Sequence, residues 1–324
     1  MLTDDLPRVA IAHLPTPLEP LPRLTALLDG PELWVKRDDL TGLATGGNKT
    51  RKLEFLVADA LKHTADTLIT CGAAQSNHAR QTAAAAARFG LDCFLVLRGE
   101  MPADVRGNLL IDQLVGAEVV WTEDRSLDQR MRDVAGELHD EGHRPYIVPY
   151  GGSNPVGASG YVAAMEELIL QCEEQNLAFD RIVFASSSGG TQAGLVVGAE
   201  ALGYGGRILG ISVDLQADAL RRVLADLATA TAEHLALAMS LVTEDFAVND
   251  DYLGGGYGVV GELEQEAIRT VGQLEGLLLD PVYTGRAFGG LFDMIRGGGF
   301  RRDEKVLFWH TGGTGGLFGY AGAL

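Results

Sequence analysis

The sequence predicts an α/β protein with mostly parallel sheets covered by helices on both faces, and two features carry that prediction. Short β-rich runs alternate with longer helical patterns along most of the 324 residues, and strands joined by helical crossovers run parallel. Glycine-rich segments fall where strands end: GLATGGNK, CGAAQSN, YGGSN, SSSGGTQAG, GGGYG and HTGGTGG. Open parallel sheets bind ligands just beyond the carboxyl ends of their strands. The length suits two domains or one large α/β unit.

The elements follow in order. Leu33–Lys36 reads as a strand. Asn48 is placed to cap a helix from Lys49, on which Leu53, Leu56, Val57, Ala60 and Leu61 form an apolar stripe. Residues 67–70 form a strand, 77–89 an alanine-rich helix stopped by Gly90. Strands at 93–97, 118–121 and 146–148 alternate with helices at 108–115, 127–139 and 162–172. A strand at 182–185, a helix at 191–202 and a strand at 208–213 come next; the Ala/Leu-rich region 217–240 reads as two helices. A helix at 262–274, a strand at 277–279, a helix at 286–295 and a strand at 306–309 complete the series.

The 26 Lys and Arg against 44 Asp and Glu give a formal charge of −18. That balance argues against nucleic acid and anionic membrane as partners. The start of the chain has no basic segment followed by an apolar one, and no apolar run reaches the ~18 residues of a membrane span. A cytoplasmic protein is expected. Cys71, Cys93 and Cys172 form neither a disulfide framework nor a CxxC motif and read as small core residues. No metal site is expected, because Gly142 separates His139 from His143.

Several loops combine residues that can do chemistry. Ser186-Ser187-Ser188-Gly189-Gly190-Thr191 leaves a strand and opens a helix, where backbone N–H groups and hydroxyls suit a phosphate. An ordinary glycine-rich turn fits the same residues. No Lys follows the glycines and this loop is not GxGxxG, so nucleotide readings lose support there. Lys49 follows Gly46-Gly47-Asn48 at a helix start, where the dipole and burial disfavour its ammonium form. It reads either as an imine-forming amine or as a solvated surface lysine, with Arg51 and Lys52 close by. Ser76 and Asn77 suit helix capping or an anionic carboxylate, and His78 a proton carrier or substrate contact. Tyr257 and Tyr283 lie in glycine-containing segments, where a phenol can pack on a ligand ring or move a proton. Thr311 follows the last strand, placed to meet a ring nitrogen or to cap the next short helix. No GxSxG elbow supports a serine hydrolase.

At these residues the chain resembles the D-cysteine desulfhydrase and 1-aminocyclopropane-1-carboxylate deaminase group of fold-type II pyridoxal-phosphate enzymes. The matching stretches are LPTPLEPLPRL, VKRDDLTGLATGGNKTRKLEFLVADAL, QSNHARQTAAAAA, PYGGSNPVGASGY, SSSGGTQAGL, LDPVYTGRAFGGL and HTGGTGGLF, together spanning residues 14–318. The resemblance implies two open, mostly parallel sheets, as in the tryptophan synthase β fold. It also implies a large cofactor-binding domain (1–52 and 161–324), a small α/β domain (53–160), and a homodimer. The implied cofactor is pyridoxal 5′-phosphate. Lys49 would hold it covalently, Asn77 would meet its ring hydroxyl, and Ser187, Ser188, Gly189, Gly190 and Thr191 would hold its phosphate. Thr311 would be a neutral partner of the ring nitrogen, which suits prompt loss of a β-leaving group. Ser76, Asn77 and His78 would face the carboxylate of a small amino-acid substrate, with Tyr257 and Tyr283 flanking its reacting carbons.

His78, Thr284 and Thr311 fit the desulfhydrase pattern and depart from the deaminase one, which has Gln, Glu and Leu there. The resemblance therefore implies a β-elimination lyase that converts D-cysteine to pyruvate, ammonia and hydrogen sulfide. A branch that releases sulfite from L-cysteate has equally similar motifs. Arg286 stands where the group usually has Lys, and GTGG where Ala-Pro is common after His310-Thr311-Gly312; both bear on substrate choice. A non-catalytic small-anion-binding protein is the reading from a different class.

Overall fold

A computed structural model describes residues 2–123 and 125–324. In chain order its strands and helices are β1 (Leu18–Pro20), α1 (Pro22–Leu28), β2 (Glu32–Arg37), α2 (Lys49–Lys62), β3 (Thr67–Gly72), α3 (Asn77–Phe89), β4 (Asp92–Leu97), α4 (Gly107–Leu114), β5 (Glu118–Trp121), α5 (Leu127–Asp140) and β6 (Pro145–Ile147). There follow α6 (Pro155–Gln175), β7 (Arg181–Ser186), α7 (Gly190–Leu202), β8 (Arg207–Ser212), α8 (Ala217–His234), β9 (Ala247–Asn249), α9 (Glu262–Glu275), α10 (Thr284–Arg296), β10 (Lys305–His310) and α11 (Thr314–Leu317).

The strands form two open sheets. One has six strands in the order β1-β2-β10-β7-β8-β9, parallel except for the short edge strand β1; the other has four parallel strands in the order β5-β4-β3-β6. Every residue of β3 is buried, as expected of a strand covered on both faces. On one face of the large sheet Trp309, Phe184 and Ile182 pack with Tyr161 and Leu168 of α6; on the other Phe308 and Val306 pack with Phe288 and Leu291 of α10. The small sheet is covered on one face by Leu53, Leu56 and Ala83 and on the other by Met131, Val134 and Leu138. The expected domain boundaries at 52/53 and 160/161 fall within α2 and α6, so two continuous helices pass between the sheets' territories.

The structure differs from the sequence-based elements at a few places. Region 217–240 holds one helix, α8, because Leu220, Leu224 and Ala228 continue a single buried stripe with no Gly or Pro to break it. Residues 277–279 form no strand; Leu277 and Leu279 are buried in the cluster that holds Phe288 and Leu291, and the Leu278 carbonyl contacts the His310 ring (3.2 Å). Helix α6 starts seven residues before the expected 162, because Asn154 caps Gly157 N (2.8 Å) with Pro155 at the first helical position. Asn48 does not cap α2; its amide donates instead to Thr191 Oγ1 (3.0 Å). The strands β1 and β9, three residues each, are too short to show alternation, and α1 was not expected.

Candidate active site

Loops following the carboxyl ends of β3, β7 and β10, together with the start of α2, enclose one cavity. It holds about 600 Å³ of space, part of it open to solvent, and is lined by Asn48, Lys49, Ser76, Asn77, His78, Tyr150, Gly151, Ala185, Ser186, Ser187, Ser188, Gly189, Thr191, Gln192, Tyr283 and Thr311. Ten of the site residues expected from the sequence therefore meet here. Gly190 and Tyr257 lie just behind the wall.

Lys49 is the first residue of α2 and points its Nζ at the Gly151 carbonyl (3.2 Å). The loop before it is pinned to the last strand: Asn48 N donates to the Thr311 carbonyl (2.9 Å). Burial lowers the Lys49 amine from its ordinary 10.5 to about 8, partly offset by a hydrogen bond with Lys52. Lys52, one helical turn on, shares the Gly151 carbonyl (3.1 Å) and reaches Ser153 Oγ (3.4 Å). Burial, reinforced by the neighbouring Lys49 cation, depresses Lys52 still further.

The serine–glycine loop ends in the open N-terminus of α7. Gly189 takes a φ of +88°, a conformation that favours glycine. A Cβ on Gly190 would lie 2.7 Å from both Lys52 Nζ and Ser153 Oγ, so the backbone comes close to that amine only because glycine is there. Ser153 Oγ accepts from Gly190 N (3.1 Å) and donates to Ser188 Oγ (2.8 Å). Ser187 turns its hydroxyl away, to Asp214 (2.7 Å), while Ser186 Oγ is buried without a partner among the described residues.

At the other end of the cavity Ser76 caps α3, accepting from Ala79 N (3.1 Å). Asn77 Oδ1 accepts from Asn108 Nδ2 (2.8 Å), which fixes the amide and leaves its NH₂ as the group to offer. His78 Nε2 contacts Thr70 Oγ1 (2.9 Å), whose proton goes to the Val148 carbonyl (2.9 Å), so the imidazole is the donor. Burial, then the Lys49 and Lys52 cations, push His78 well below its usual value and keep it neutral. That argues for a hydrogen-bonding contact over a proton carrier. Tyr283 and Tyr257 meet oxygen to oxygen at 2.5 Å, their rings edge to face. Burial raises both phenols; Tyr150 raises each further, and their mutual hydrogen bond raises Tyr283 while lowering Tyr257 in part.

A match to the family described as pyridoxal-phosphate dependent enzyme spans residues 9–312. The chain belongs to that family. It is 44% identical over 320 residues to D-cysteine desulfhydrases of Salmonella typhi and Salmonella newport (strain SL254), covering 97% of this chain and 96% of each relative. A crystal structure of an ACC deaminase homologue superposes with a TM-score of 0.91 at 42% identity, covering 99% of this chain and 96% of that one. A threonine deaminase from T.th., at TM-score 0.64 and 20% identity over 92% of both chains, shares the fold.

The cavity suits the family's cofactor in its donors. A phosphate would find the α7 amides, the hydroxyls of Ser188 and Thr191 and the Lys52 side chain; an aldehyde would find Lys49; the ring would find the Asn77 amide and the Thr311 hydroxyl. Sequence reasoning missed Lys52, treated as a mere neighbour of Lys49, although a spacing of three on a helix already puts both on one face. It also missed Ser153, Tyr150 and Gln192. The YGGSN loop was visible at a strand end, but nothing local says that Ser153 bridges to Gly190.

Among the described residues no helix is long and apolar enough to cross a membrane, and no three His, Cys, Asp or Glu gather to hold a metal.

Proposed function

We propose that this enzyme is a β-elimination lyase whose substrate is D-cysteine, converted with one water to pyruvate, ammonia and hydrogen sulfide. The observation that carries the reading is the placement of Lys49 and the Tyr283–Tyr257 pair at one cavity, in a chain 44% identical to D-cysteine desulfhydrases. Pyridoxal phosphate, when bound, accepts the electron pair left at the α-carbon. The chain supplies the rest. Lys49, with its amine near 8, is tuned to take and return a proton near neutral pH. The tyrosines, raised well above the ordinary phenol range, keep their protons and act as donors to the leaving sulfur. Ser76 and Asn77, at the start of α3, offer donors to the substrate carboxylate.

Thr284 supports the desulfhydrase reading over ring opening. It is fully buried, its hydroxyl committed to Asp280 (2.8 Å), so position 284 offers the cavity no acid. The two sheets support a large cofactor-binding domain and a small α/β domain, and the resemblance supports a homodimer, which light scattering would report.

The test is turnover. Holoenzyme given D-cysteine, L-cysteine and L-cysteate in separate reactions is expected to release pyruvate and sulfide from D-cysteine. Sulfite from L-cysteate alone would replace this reading with the sulfo-lyase one, and ligand binding without any product would leave a binding protein.

A further inference from the structure

Tyr283 is the residue before α10 and lines the cavity. Tyr257 arrives on an irregular loop in which Gly254, Gly256 and Gly258 have φ of +57°, +108° and +76°. Two backbone hydrogen bonds hold that loop to itself, Gly256 N to Leu253 O (3.0 Å) and Val259 N to Gly256 O (3.3 Å). Besides the Tyr257–Tyr283 contact, a side chain buried behind the cavity ties it to the rest of the molecule.

That side chain is Arg286, three residues after Tyr283 on α10 and fully buried. Its Nη1 donates to the carbonyls of Leu253 (2.9 Å), Gly256 (3.0 Å) and Val213 (3.2 Å), and its Nη2 to that of Val259 (2.7 Å). The three loop carbonyls bracket Tyr257 on both sides, and Val213 lies just beyond β8. Nε pairs with Glu264 Oε1 (2.6 Å), whose other oxygen accepts from Gly261 N (2.8 Å), so the counter-ion fixes the chain just past the loop. A planar fork with five donors can span this set of acceptors; a compact ammonium with three cannot.

We propose that Arg286 is the positioning residue that holds Tyr257 against Tyr283, an inference that rests on the lyase reading of that pair. Arg286 touches neither cavity nor substrate. It links the helix carrying one phenol to the loop carrying the other, so the oxygen–oxygen distance is set by a rigid element and not by the loop.

The test is a double-mutant cycle in the holoenzyme with amide exchange across residues 253–259. Arg286→Met is expected to lower kcat by at least ~10-fold in the wild-type background and by less than ~3-fold in Tyr257→Phe, because the second change acts through a group already removed. Arg286→Lys, which keeps the charge beside Glu264, is expected to recover part of the loss, and it carries the same cycle if Arg286→Met does not fold. The loop amides are expected to exchange faster in both variants. Equal losses in the two backgrounds, or unchanged exchange, would overturn the proposal. A loss in Arg286→Met while the Tyr257→Phe single variant keeps the wild-type kcat would instead remove Tyr257 from the lyase reading, and loop exchange would then decide the clamp by itself.

Discussion

Lys49 and Lys52 place their nitrogens on a single acceptor, the Gly151 carbonyl, at 3.2 and 3.1 Å. Two lysines one turn apart on α2 thus face the same buried spot, and both amines are pushed down by that burial. The arrangement divides the labour. Lys49 lines the cavity, where the proposed reading makes it the reacting amine, whereas Lys52 sits beside Gly190, where that reading puts the phosphate.

Cofactor loading should report the Lys49 amine. Below about 8 it is protonated and cannot attack an aldehyde; above, it is free. The rate at which apoenzyme takes up pyridoxal phosphate is expected to rise through that pH and then level off, followed by the visible band at ~410–430 nm. A rate still climbing past pH ~10, as for an ordinary lysine, would contradict the lowered value.

Gly190→Ala places a methyl group 2.7 Å from Lys52 Nζ and Ser153 Oγ, beside the proposed phosphate position. Cofactor affinity, measured by equilibrium dialysis, is expected to fall by ~10-fold or more, a cost of ~1.4 kcal/mol. The fold should be retained, since Ala suits a helix start. Unchanged affinity would move the phosphate elsewhere.

Asp280 orders the segment that presents Tyr283. Its oxygens accept from the backbone N–H groups of Val282 (3.1 Å), Tyr283 (3.0 Å) and Thr284 (3.0 Å) and from the Thr284 hydroxyl (2.8 Å). Asp280→Asn turns one acceptor into an NH₂ that faces donors. Denaturant unfolding of the apoprotein is expected to show a loss of ~2–4 kcal/mol, with turnover falling as well.

Tyr283→Phe removes the phenol that lines the cavity and leaves the cofactor's donors in place. The visible band is expected to persist while kcat on D-cysteine drops by ~10²-fold or more, the scale of one general-acid group. Normal turnover would transfer the proton donation to another side chain.

Much of this was legible in the sequence because the signals are local. The apolar stripe from Leu53 to Ala60 (Leu61, expected to continue it, is exposed at the helix end), the Gly90 stop and the buried run at 67–70 each fix an element from its own residues, and α3 starts and ends where expected. Loop composition at strand ends pointed to most of the residues that line the cavity. What stayed hidden is non-local. Ser153 meets Gly190 37 positions away and Arg286 meets Leu253 33 positions away, contacts made by the packing of α6, α7 and α10. The strand expected at 277–279 failed for a related reason: Leu277 and Leu279 have the pattern of a strand, but it only buries them in the core, and among the described residues no strand pairs with them.

The most direct test of the central claim is to reduce the holoenzyme with borohydride and map the labelled peptide by mass spectrometry. The cofactor is expected on Lys49 alone. A label on Lys52, or no covalent label in a protein that still turns over D-cysteine, would contradict the assignment of Lys49 as the reacting amine.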